Sequence, residues 1–111
     1  MQMQRPFQLV PALAALAMSL LALPAHSEEL SDDEFCATLG RWAEIIMRSH
    51  QAGVPMVEMM ETVSSSDLLR GMVVKAYGRH RYSDPEIRQR SIDDFRDEAV
   101  HACYTELLVP N

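Results

Sequence analysis

Three clusters in this chain carry side chains able to do chemistry. Met56, Met59 and Met60 stand at helical spacing, close in sequence to His50. Thioether sulfurs in that arrangement can hold Cu(I), with an imidazole nitrogen as a further ligand. The same methionines equally suit a core filler, or an adaptable surface on which another protein docks. Tyr77-Gly78-Arg79-His80-Arg81-Tyr82 mixes cations with aromatic rings, which could stack on a base or sugar, hold a phosphate or dock an anionic partner. The third cluster is Cys36 and Cys103, the only two cysteines, able to pair as a disulfide or, unpaired, to supply a thiolate nucleophile.

Other chemistry is thin. His50, His80 and His101 fall in no His-x-x-x-His pattern and there is no Cys-x-x-Cys, so metal-ligand spacing is absent and no cofactor is expected. There is no glycine-rich phosphate loop, no nucleophile elbow, and no serine or cysteine with an obvious histidine partner. Asp93, Asp94, Asp97 and Glu98 have the spacing of a solvated helix face. No catalytic residue is expected, and the chain is taken as a non-enzyme.

The compartment decides how the cysteines behave. Met1 to Gln8 is polar with one charge, Arg5; Leu9 to Leu23 is apolar; Pro24 then leads into Ala25-His26-Ser27. That is the pattern of a secretory signal peptide cut after Ser27, leaving 28–111 as a single domain of 84 residues. The apolar run is shorter than the roughly 20 residues a membrane-spanning helix needs, so no membrane attachment is expected after cleavage. The protein is expected in the periplasm or outside the cell, where two cysteines in a short chain pair by default. Their 67-residue separation makes the Cys36–Cys103 bridge worth roughly 4 kcal/mol on the chain-entropy account.

All 16 acidic residues follow the cut and Arg5 precedes it, so the formal charge of −6 becomes −7 in the mature chain. This balance argues against nucleic acid and anionic lipid as partners. From Arg70 to Arg90 the sign reverses, with six Lys and Arg against two acids. That basic middle suits internal neutralisation against the acidic flanks, or a docking patch.

Helices must position these groups. Ser31 with Glu34 three residues on is a capping box, and Phe35, Leu39, Trp42 and Ile46 follow at steps of four, three and four, with Cys36, Ala43 and Met47 beside them. Gly53 is a natural residue just past the end of this helix, near Gln51. Pro55 suits the first position of a short second helix over Met56 to Val63, ended by Ser64-Ser65-Ser66. The serines and Asp67 cap a third, carrying Leu68, Leu69, Met72, Val73, Ala76 and Tyr77, in which Gly71 suggests close approach of a neighbouring helix and Gly78 the stop. Ser83-Asp84-Pro85-Glu86 repeats the capping logic for a last helix, to about Leu108, with Ile87, Ser91 or Ile92, Phe95, Ala99, Ala102 or Cys103, and Leu107 on its apolar side; Glu86–Arg90 and Asp93–Arg96 are expected outside. No stretch alternates as a strand does. The expectation is an all-α bundle of about four helices, closed by a disulfide from the N-terminal to the C-terminal helix.

Gln51-Ala52-Gly53-Val54-Pro55-Met56, Ala76-Tyr77, Arg81-Tyr82-Ser83, Phe95-Arg96 and the flanking Cys36 and Cys103 resemble a group of small exported, signal-peptide-bearing helical proteins with one cysteine pair from proteobacteria and their phages. The resemblance spans nearly all of the mature chain and implies export; no activity comes with it. In outline, without matching motifs, the mature chain is also similar to the periplasmic acid-stress chaperones, small helical proteins held by one disulfide. The functional expectation is a non-enzymatic helical protein that binds another protein through Met56, Met59, Met60, Arg79, Arg81 and Tyr82. An acid-stress-type chaperone and Cu(I) binding through the Met-rich second helix are the alternatives.

Overall fold

The structure, a computed structural model, describes residues 29–108, so the expected signal segment 1–27 and Pro110 lie outside the described residues. Among the described residues four α-helices follow one another: α1 (Asp32–Gln51), α2 (Met56–Thr62), α3 (Asp67–Tyr77) and α4 (Pro85–Ala102), with Cys103–Leu107 continuing α4 as a π-helical turn. Among the described residues no strand forms and no helix is long and apolar enough to cross a membrane.

The helix ends form for local reasons. The Ser31 hydroxyl accepts from the Glu34 amide at 3.1 Å, and Asp32, Asp33 and Glu34 load the first turn of α1 with negative charge, favourable at its positive end. At the other end the Val54 amide donates to Ser49 and the Gly53 amide to His50, the six-to-one and five-to-two bonds of a Schellman stop. Gly53 sits at φ +89°, which a side chain would strain. Pro55 serves as the extended residue before α2 instead of its first helical residue, because its own carbonyl accepts the first helical amides. Ser66 caps α3 through the Leu69 amide. The cap of α4 is Asp84 and not Ser83: one Asp84 carboxylate oxygen accepts from both Glu86 and Ile87 amides, at 2.9 and 3.0 Å, satisfying two donors where a hydroxyl typically satisfies one.

Cys36 and Cys103 are bonded, with Cα atoms 5.6 Å apart, and both are fully buried. This joins the first turns of α1 to the end of α4, so those two helices run antiparallel and form the main packing pair. Arg96 of α4 reinforces the pair by bridging Glu44 of α1 at 3.1 Å and Asp93 at 3.5 Å. The Glu44–Arg48 pair also forms, at 3.5 Å. Glu86–Arg90 does not appear among the ion pairs of the described residues.

The core is the predicted stripe of α1, with Ala43, Ile46 and Met47 packed against Met59, Val63, Val73, Ala76, Ile92 and Phe95. Leu39 and the disulfide make a second cluster, against which Leu69 and Met72 of α3 pack. Tyr77 stacks on His50 at the far end, 4.5 Å between centroids. Helix α3 therefore runs parallel to α1 and antiparallel to α4. Ile87 and Leu107, expected on the apolar side of the last helix, are 41% and 50% exposed.

Candidate functional site

The residues expected to form a docking surface do not line one hollow. Met59 is only 5% exposed and belongs to the core, since α2 turns this methionine inward between α1 and α3. Met60 is half-buried against the same core, while Met56 and Val57 face outward. Met56, Val57 and Met60 line a shallow hollow of about 300 Å³ with Glu61, Ser64 and Arg70, and Arg70 donates to the Met60 carbonyl at 3.3 Å. The basic connector lines a different hollow.

That connector is held from beneath by two buried polar residues of α1. The Gln51 amide donates to the His80 carbonyl at 2.7 Å and its oxygen accepts from the Tyr82 amide at 2.9 Å, so one side chain satisfies two main-chain groups. His50 Nε2 donates to the Arg79 carbonyl at 2.7 Å. Arg79 lies 5.4 Å over the Phe95 ring and pairs with both Glu98 oxygens, at 2.9 and 2.8 Å. Here a connector cation is neutralised by the last helix. Tyr82 packs edge-on against His80, and its carbonyl accepts from Arg88. Arg81 reaches over Gly53. Burial pushes the Tyr77 phenol above its ordinary pKa, with Glu58 adding and Arg81 opposing, and its hydroxyl donates to the Val54 carbonyl at 2.7 Å.

A larger concavity lies elsewhere, between α3 and α4. Both helices pack on α1 and share its core, yet their backbones stay apart. The gap is a trench of about 570 Å³ with Leu39, Met72, Phe95, Ala99 and Cys103 toward its floor. Leu68, Val74 and Leu107, respectively 44%, 55% and 50% exposed, stand along its edges. Gly71 lines it midway, and a Cβ built there would meet nothing within 4 Å. The expectation of a neighbouring helix close to Gly71 is therefore not met within this chain; the space beside it is open. Asp67 and Glu106 mark the end near the disulfide, Lys75 and Glu98 the other end. The π-helical turn supplying Glu106 and Leu107 is tied to α1 by Tyr104, whose hydroxyl donates to Asp33 at 2.7 Å; that bond also raises the Tyr104 pKa.

Sequence reasoning placed none of the trench. A signal was present in α3, where Leu68, Leu69, Met72, Val73, Val74, Ala76 and Tyr77 are more apolar residues than one buried face can hold. Among the described residues, no three His, Cys, Asp or Glu side chains converge to hold a metal ion, and both cysteines are consumed by the disulfide. Comparison with known protein families, characterised proteins and solved structures finds no match for this chain.

Proposed function

We propose that this is a non-enzymatic helical protein of the periplasm or the cell exterior that binds another protein chain, taking an apolar helical segment of it into the trench between α3 and α4. One observation carries the reading. Two helices share a packing partner but stand apart, and the space between them has an apolar floor and exposed apolar edges. Its volume of about 570 Å³ falls in the range of sites that enclose ligands, and covering Leu68, Val74 and Leu107 would remove apolar surface from water. The export pattern at 1–27 and the buried disulfide support the compartment. The trench displaces Met56, Met59, Met60 and the connector as the leading surface, since Met59 is core and Arg79 is already paired.

The double substitution Leu68→Glu with Leu107→Glu places charge on both edges and should abolish cross-linking to a partner protein in the native compartment, with the circular-dichroism melt unchanged. Val57→Glu, on the exposed side of α2, should leave cross-linking intact. Equal cross-linking by both variants refutes the trench. The acid-stress chaperone reading draws on Glu44, the carboxylate that ties α1 to α4 through Arg96. It is tested by light scattering of a denaturing client at about pH 3 and about pH 7, where equal absence of protection ends it.

A further inference from the structure

Resting on the reading of the trench as a protein-binding site, we infer that its occupant is α3 of a second copy of this chain, packed antiparallel across Gly71 in a two-fold dimer. The order of residues along α3 points to this occupant. The trench takes from this helix Asp67, Leu68, Gly71, Val74 and Lys75 together with Met72. Counted from Gly71, Asp67 lies four residues before and Lys75 four after; Leu68 lies three before and Val74 three after. This face is thus a palindrome in shape with opposite charges at its ends.

A palindrome of that kind matches itself only when reversed. Two α3 helices laid antiparallel and crossing at Gly71 bring Asp67 to the level of the second copy's Lys75, and Leu68 to the level of its Val74, and each match occurs twice by symmetry. A parallel pairing would instead set Asp67 against Asp67 and Lys75 against Lys75. The carboxylate of Glu106, at the Asp67 end of the trench, adds a second attraction for the arriving Lys75. Among the described residues, Asp67, Lys75 and Glu106 form no ion pair within the chain, so all three are free for the contact.

Gly71 supplies the second line of argument. A glycine inside a helix is unfavourable relative to alanine, and in one chain this one has nothing beside it that a Cβ would strike. At the crossing point of two helices the missing side chain lets the backbones approach closely, which is a use for glycine that the single chain does not provide. Leu68, Val74 and Leu107 of each copy are then covered at once, with each α3 lying beside α4 of the other.

Sedimentation velocity of the purified mature protein tests this over micromolar to millimolar concentration. The expected result is a reversible monomer–dimer equilibrium, weakened by salt. Asp67→Lys alone and Lys75→Asp alone each replace two attractions by two repulsions and should raise the dissociation constant about tenfold, while the double swap recovers part of the loss, Glu106 then opposing the incoming carboxylate. Gly71→Leu should leave only monomer, with the monomer's melting temperature kept or raised. A monomeric wild type, or a dimer indifferent to Gly71→Leu and to the single swaps, overturns the inference. If the protein is monomeric yet Leu68→Glu with Leu107→Glu removes cross-linking to a different protein, the second copy is refuted and the trench stands. If neither experiment responds, both readings fall.

Discussion

Reducing the Cys36–Cys103 disulfide should cost this domain most of its thermal margin, and the size of the loss follows from its place in the fold. The bond closes a loop with a sequence separation of 67. Freeing a loop of that length returns to the unfolded chain entropy worth about 4 kcal/mol. At roughly 2 cal/mol/K of unfolding entropy per residue, the domain formed by residues 29–108 should lose about 25 °C in Tm. The folded state should change little at first, because both sulfurs are fully buried and two thiols there add no charge. Leu39, Leu69, Met72 and Leu108 pack around the bond, so the released ends should fray beside the trench. The assay is far-UV circular dichroism of the oxidised protein against the protein in reductant, and against Cys36→Ala with Cys103→Ala. Melts that coincide within about 3 °C, which corresponds to less than about 1 kcal/mol, would show that the bond does not stabilise the fold in this way.

Other perturbations separate the local devices. Gln51→Leu orphans the His80 carbonyl and the Tyr82 amide and should cost about 2 kcal/mol by urea denaturation, with the connector gaining hydrogen exchange. Gly53→Ala should cost about 1–2 kcal/mol from its positive φ, the Arg81 tip being free to move aside. Gly71→Ala, measured at concentrations where only monomer is present, should instead stabilise by up to about 1 kcal/mol, since its Cβ meets nothing. The raised pKa of Tyr77 and of Tyr104 means the folded state holds those phenolic protons more tightly than the unfolded one. Their stabilisation is complete below the ordinary phenol value of about 10 and disappears as pH rises through the raised values, so stability should fall in that alkaline window. Absorbance titration near the phenolate band should show Tyr77→Phe and Tyr104→Phe each removing a late component; loss of an early component instead would contradict the assignment.

Much of the fold was legible because its determinants are local. Ser31 with Glu34, Gly53 and Ser66 each act over a few residues, so they mark helix ends without knowledge of the rest of the chain. The disulfide was legible because the apolar stripes of α1 and α4 put Cys36 and Cys103 at matching ends of an antiparallel pair. Ser83 and Asp84 are adjacent and chemically similar caps, and backbone geometry alone decides between them. Met59 and Met56 could not be told apart, since α2 is too short for its apolar spacing to define an inward face. The trench was illegible for a different reason. It arises from two helices that fail to meet, and nothing in the order of residues along one helix states its distance from another.

A photoreactive phenylalanine analogue introduced singly at Leu68, Val74, Leu107 and Val57 tests most directly whether the trench is where a protein chain binds. All four side chains are exposed, so each position tolerates the probe. The account predicts that irradiation of the oxidised protein gives a protein-sized adduct from positions 68, 74 and 107, mapped by mass spectrometry onto α3 of a second copy, and none from position 57. Adducts from position 57 with none from the trench positions would contradict it.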